Sequence, residues 1–128
     1  MLIDVFSADP VFGEASREAV RGCRAVGRLV ACDIVWAEVA AGFSDSAEAE
    51  KSLGLLGVGF SALDVEAALL AGPSFRAYRR RGGTRERVIA DFLIGAHALA
   101  GADQLLTRDR GFYRRYFEEL RVLDPAAS

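Results

Sequence analysis

Short apolar runs alternate along the chain with stretches in which apolar residues recur at helical spacing. The apolar runs predict buried strands over residues 2–6, 29–32, 58–60, 104–106 and 120–123. The periodic stretches predict helices over residues 14–26, 34–41, 44–56, 61–78, 91–100 and 112–117, several of which stop at a glycine. Strands that alternate with helices indicate an α/β fold, in which helices cover both faces of a central, mostly parallel sheet.

The length and composition of the chain are typical of one intracellular domain. We expect residues 1–128 to form a single domain, because a chain of this length buries enough surface for one core. Cys23 and Cys32 are too few for a disulfide framework or a zinc site and are predicted to be reduced thiols of a cytoplasmic protein. No apolar run approaches the ~18 residues that a membrane span requires. The net charge of −2 indicates no general attraction to nucleic acid.

Two carboxylates are placed where ligands bind in open α/β sheets. Asp91 opens a predicted helix, and Asp109 follows the predicted strand 104–106. The crevice beyond the C-terminal ends of parallel strands is the usual ligand site in such folds, and we expect both side chains to point there. Each acid also has a purely structural interpretation, in which Asp91 stabilises the N terminus of its own helix and Asp109 caps the next helix.

Two further features leave a structural and a functional interpretation open. Glu38 lies among small apolar residues in a short predicted helix. It is therefore either a carboxylate that needs a metal or charge partner, or an acid at the solvent edge of its helix. Residues 79–85 form a basic, glycine-containing loop after a predicted helix. These arginines either complement the helix C terminus or contact phosphates beside Asp91.

The acids together favour a site for a hard divalent cation. Asp4, on the first predicted strand, joins Glu38, Asp91 and Asp109 as a possible ligand, and carboxylate oxygens suit Mg²⁺ or Mn²⁺. A histidine-based hydrolase is disfavoured because His97 is the single histidine, and the sequence has no P-loop motif. Carboxylates that hold one or two divalent ions can activate water for in-line attack on a phosphodiester, which is nuclease chemistry.

Five sequence blocks are spread along the chain: Asp9-Pro10 through Ser16, Ala37-Glu38-Val39 through Phe43, residues 75–85, Asp91-Phe92-Leu93-Ile94-Gly95-Ala96-His97, and Leu106-Thr107-Arg108-Asp109. In this order they resemble the PIN-domain family, and within it the VapC-type toxins of toxin–antitoxin pairs. The resemblance implies a PIN-like three-layer fold and a Mg²⁺- or Mn²⁺-dependent endoribonuclease. It also implies a homodimer and a small VapB-like antitoxin that covers the site.

The resemblance assigns roles to individual residues. Glu38, Asp91 and Asp109 match the second, third and fourth acids of the family, and Asp4 would complete the metal ligands. Thr107 matches a small hydroxyl residue two positions before the fourth acid and would support the site. The arginines from residue 76 to residue 87 would hold RNA phosphates. The arginines predicted to bind nucleic acid are Arg80, Arg81, Arg85 and Arg108.

The first strand departs from the family pattern, in which an acid is followed by Thr and then by Asn or Ser. Here Asp4 is followed by Val5, Phe6 and Ser7. Either the chain begins after the family's first strand, which the match of residues 9–14 favours, or Asp4 takes the place of the first acid. An incomplete acid set leaves an alternative function, a catalytically impaired PIN domain that binds an antitoxin. A phospho-receiver domain is disfavoured because the single lysine, Lys51, lies in a predicted mid-chain helix.

Overall fold

The structure is a computed structural model that describes residues 13–83 and 89–125. Its first two strands form a parallel pair. Strand β1 spans Leu29–Cys32 and strand β2 spans Val58–Ser61, with Leu29 opposite Val58 and Cys32 opposite Ser61. Parallel neighbours need a long crossover, which helices α2 (Asp33–Ala41) and α3 (Ser46–Leu56) supply here. Helix α1 (Gly13–Val26) precedes β1.

The remaining elements are mostly helical. Helices α4 (Val65–Arg80) and α5 (Ile89–Gly101) come first, followed by strand β3 (Leu105–Leu106), helix α6 (Arg110–Tyr116) and strand β4 (Val122–Leu123). Strand β3 pairs with β4, and the Leu105 N–H donates to the carbonyl of Arg121 at 2.8 Å. Among the described residues, no helix combines the length and the apolar composition that crossing a membrane would require.

The described residues fall into two compact units. The first contains residues 13–61, Leu106–Arg108 and residues 124–125. Its core is aliphatic, since Val39, Leu53 and Val58 are buried together between α2, α3 and β2. The indole N–H of Trp36 donates to the carbonyl of Gly59 at 3.2 Å, which ties α2 to β2.

The second unit contains Ala62–Leu105 and Asp109–Leu123, and its core is aromatic. Phe92 of α5 is fully buried at the centre of this core. Its ring centroid lies 5.2 Å from that of Phe75, 5.5 Å from that of Tyr78 and 5.1 Å from that of Phe112. Aromatic pairs at these separations are favourable beyond the area that they bury. The ring of Phe92 therefore holds α4, α5 and α6 together.

The predicted α/β class is confirmed, and the predicted strands 29–32 and 58–60 form and pair in parallel. The helix predicted from residue 61 starts four residues later, at Val65, because Asp64 is its N-cap and its side chain accepts from the Ala67 N–H at 2.9 Å. Helix α6 also begins two residues earlier than predicted. The predicted strand 2–6 lies outside the described residues, and a single domain over residues 1–128 remains a prediction.

Candidate active site

Asp91 lies in the first turn of α5, as its third residue, and is half-buried. The buried face of this helix carries Phe92, Gly95 and Ala96, whose spacing of three and four residues is that of a packed helix face. Asp91 directly precedes Phe92 and is one turn before Gly95. The packing of α5 therefore fixes the backbone that carries this carboxylate, and an acid at this end of a helix is also favourable for the helix dipole.

Asp109 occupies the residue before α6, yet its side chain makes no capping hydrogen bond to that helix. Two other aspartates at equivalent positions do act as caps. Asp45 accepts from the Ala47 N–H at 2.8 Å, and Asp64 accepts from the Ala67 N–H at 2.9 Å. The interpretation of Asp109 as a helix cap is therefore wrong. Its carboxylate is half-buried.

The first turns of α5 and α6 are neighbours. Phe92, the fourth residue of α5, and Phe112, the third residue of α6, stack edge to face with ring centroids 5.1 Å apart. Asp91 is adjacent to the first of these aromatics, and Asp109 is three residues before the second. The same aromatic contact therefore anchors both acid-bearing segments within the second unit.

Glu38 and Thr107 both belong to the first unit. Glu38 is exposed on α2, which agrees with the solvent-edge interpretation of this acid. Thr107 is half-buried immediately after β3, and its neighbour Arg108 is exposed. Sequence reasoning passed over Asp33, an exposed acid in the first turn of α2. The sequence could have identified Asp33 as a candidate site residue, because it directly follows the apolar run that forms β1.

The basic segment after α4 is a tight helix end. Arg80 is the last residue of α4 and Arg81 is its C-cap, and both are exposed. Gly82 adopts a φ of 76°, its N–H donates to the carbonyl of Arg79, and the Gly83 N–H donates to the carbonyl of Tyr78. These are the two hydrogen bonds of a Schellman motif, which satisfies the last carbonyls of a helix. Arg85 lies outside the described residues.

The donor chemistry of the two acids on α5 and before α6 fits a hard cation. Mg²⁺ is commonly bound by only one or two protein carboxylates, with water and substrate phosphates as the other ligands. Asp91 and Asp109 supply such a pair of oxygen donors in one unit. Residues 13–83 and 89–125 contain no group of three or more acidic, histidine or cysteine side chains arranged for a metal ion. The predicted ligand Asp4 lies outside these ranges.

The chain matches one protein-family model and is similar in fold to solved structures. The PIN-domain family model matches residues 1–118. The chain is similar in structure to VapBC-1 from nontypeable Haemophilus influenzae, with a TM-score of 0.70 and 21% identity over 97% of this chain and 92% of that chain. It is also similar to VapBC2 from Rickettsia felis, bound to a DNA fragment from their promoter, with a TM-score of 0.67 and 17% identity over 95% of this chain and 91% of that chain. The comparison with curated proteins gave no match. At these identities, the structural likeness establishes the fold alone.

Proposed function

The chain belongs to the PIN-domain family, and from this premise we propose that it is a metal-dependent endoribonuclease, the VapC-type toxin of a toxin–antitoxin pair. The observation that carries the proposal is the pair Asp91 and Asp109. Their segments meet through the contact between Phe92 and Phe112, and Asp109 does not serve as a helix cap. Two carboxylates on adjoining helix starts supply the oxygen donors that a hard divalent cation prefers.

The acids would hold Mg²⁺ or Mn²⁺. We assign Asp91 and Asp109 as the principal ligands and Glu38 and Asp4 as further members of the acid set. The bound ion would polarise a phosphodiester and lower the pKa of a water molecule. Thr107 would support the acids through its hydroxyl group, which can both donate and accept a hydrogen bond. Glu38, Asp91, Asp109 and Thr107 form the proposed catalytic set, and Asp4 is proposed as a metal ligand only.

Arginines would position the RNA strand against these acids. Arg80 and Arg81 are exposed at the end of α4, and Arg108 is exposed beside Asp109 in the sequence. The planar guanidinium group can donate two parallel hydrogen bonds to a phosphate, which fixes orientation as well as affinity. Together with Arg85, these residues are the proposed phosphate contacts.

The proposed partners are RNA, a small VapB-like antitoxin and a second copy of the chain. Both structural neighbours described above are VapBC proteins, which supports a toxin–antitoxin pairing for this chain. We propose a cytoplasmic homodimer whose site is covered by the antitoxin until that protein is removed.

The decisive experiment is RNA cleavage by the purified chain with and without Mn²⁺, beside the variant Asp91→Asn. We expect cleavage that requires the ion and falls by roughly 100-fold or more in the variant, the scale on which one catalytic group contributes. Asp103→Asn is the matched control, because Asp103 is an exposed aspartate after the far end of α5. Cleavage retained by Asp91→Asn, or lost equally in both variants, would contradict the proposed role of Asp91. A folded chain that cleaves nothing would favour the alternative, an antitoxin-binding module.

A further inference from the structure

The exposed side of α4 carries an open groove of about 500 Å³, lined by Gly72, Phe75, Arg76, Arg79 and Arg80. Gly72 opens the groove, since a Cβ built there would meet no atom within 4 Å. Phe75 is half-buried and forms the apolar part of the lining, whereas the three arginines are exposed. The groove therefore combines an aromatic surface with three guanidinium groups over little more than one helical turn.

The aromatic surface and one arginine form a layered contact. The guanidinium carbon of Arg79 lies over the Phe75 ring, 5.8 Å from its centroid, and the ring in turn contacts that of Phe92. Cation–π contact of this kind restricts the orientation of the guanidinium plane. A planar group held in place on an aromatic ring is a surface on which an unpaired nucleobase can stack.

The charge around the groove is strongly positive although the chain is slightly acidic overall. Helix α4 contains one acid, Glu66, which lies in its first turn, ten residues before Arg76. Residues 76–81 contain four arginines and no acid, a local charge of +4 in a chain whose net charge is −2. Such a local concentration of guanidinium groups attracts a polyanion where the whole chain would not.

We propose that this groove is a binding subsite for a single-stranded segment of the RNA substrate. An unpaired base would stack on the Arg79 guanidinium above Phe75, and the flanking phosphates would bind Arg76 and Arg80. The subsite adjoins the acid-bearing turn of α5, because Phe75 contacts Phe92, the residue after Asp91. The inference rests on the proposed nuclease function and adds how the strand is held beside the acids.

The test measures binding of a labelled single-stranded RNA of mixed sequence by fluorescence anisotropy, in EDTA and at several salt concentrations. The variant Arg76→Gln/Arg79→Gln removes two groove charges, and Arg17→Gln/Arg21→Gln removes two charges from exposed positions of α1. Each lost phosphate contact lowers the slope of log affinity against log salt by about 0.7 for a single strand. We therefore expect the groove variant to lose about 0.7 of slope, because Arg76 is the phosphate contact that it removes. Its binding should weaken further because the Arg79 stacking surface is also lost, and the α1 variant should behave as wild type.

A third variant separates stacking from charge. Arg79→Lys keeps the charge but removes the planar group, and we expect binding of the single strand to weaken by roughly fivefold or more, the lower end of one stacked base, while duplex RNA binding changes less. Arg21→Lys is the control for this change. Equal losses in the groove and α1 variants, or no loss in the groove variant, would overturn the subsite.

The same variants distinguish the subsite from the nuclease proposal. Groove-dependent RNA binding by a chain that does not cleave RNA would leave the subsite standing and refute the nuclease function. Metal-dependent cleavage with RNA binding indifferent to the groove variants would do the reverse. Unchanged RNA binding, together with groove-dependent binding of a synthetic peptide rich in glutamate and phenylalanine, would overturn the subsite and assign the groove to a protein partner.

Discussion

The packing that positions Asp91 can be tested at Gly95, one turn further along the same face of α5. A Cβ built on Gly95 would lie 2.8 Å from both Cδ2 and Cζ of Phe117 and would come closer still to Cε2. The Phe117 ring cannot simply move aside, because it is buried and neighbours both Tyr113 and Phe92. We predict that Gly95→Val forces α5 away from the segment that follows α6.

The magnitude follows from two opposing contributions. Inserting side-chain atoms into a packed core costs about 1–3 kcal/mol, and valine adds three carbons at a site with no room for the first. Replacing a helical glycine returns roughly 0.5 kcal/mol, because glycine is the less favourable helix residue of the two. We therefore expect a net loss of about 2 kcal/mol in the free energy of unfolding. For a chain of this size, that loss corresponds to a decrease in Tm of roughly 6–10 °C.

Thermal unfolding followed by circular dichroism measures this decrease, with Gly101→Val as the matched control. Gly101 is the last residue of the same helix, and a Cβ there meets no atom within 4 Å. The control should therefore stay within about 0.5 kcal/mol of the wild type. If Gly95→Val unfolds at the same temperature as Gly101→Val, then α5 does not approach Phe117 closely. The account of how Asp91 is positioned would then be wrong.

Two further changes test the ends of α4. Asp64→Ala removes the acceptor for the Ala67 N–H, so we expect the free energy of unfolding in urea to fall by about 1 kcal/mol, whereas Asp64→Asn, which can still cap, should lose much less. Gly82→Ala places a side chain at a φ of 76° and should lower the free energy of unfolding by about 1–2 kcal/mol. Gly22→Ala should raise the free energy of unfolding, because Gly22 lies within α1 where an added Cβ meets no atom within 4 Å. Equal effects at Gly82 and Gly22 would contradict the left-handed helix end described for α4.

Local signals account for the parts of the fold that were predicted from the sequence. Strands 29–32 and 58–61 are short apolar runs bounded by glycine or polar residues, and the helices between them stop at Gly42 and Gly57. Such boundaries depend on the backbone preferences of a few neighbouring residues, which the sequence displays directly. The α/β class follows from the order of these elements, and it too was predicted correctly.

The features that were missed depend on contacts between distant residues. Gly95 has no special backbone angle, and its importance comes only from Phe117, which lies 22 positions further along the chain and packs against it. The groove on α4 likewise could not be predicted from the sequence, because the placement of Arg79 over Phe75 depends on side-chain geometry. Glu38 shows the same limit, since small apolar neighbours in sequence did not make it buried.

Backbone geometry explains why one sequence rule gave a wrong result for Asp109. A capping side chain reaches the helix N–H groups when its residue is extended. Asp45 and Asp64 are extended, with ψ of 125° and −179°, and both cap their helices. Asp109 has a ψ of 50° and makes no capping hydrogen bond. The side chain of Asp109 therefore does not stabilise α6 by capping it. Departures from a local rule of this kind are expected where a residue serves function instead. The proposed role of Asp109 as a metal ligand beside Asp91 is one such function.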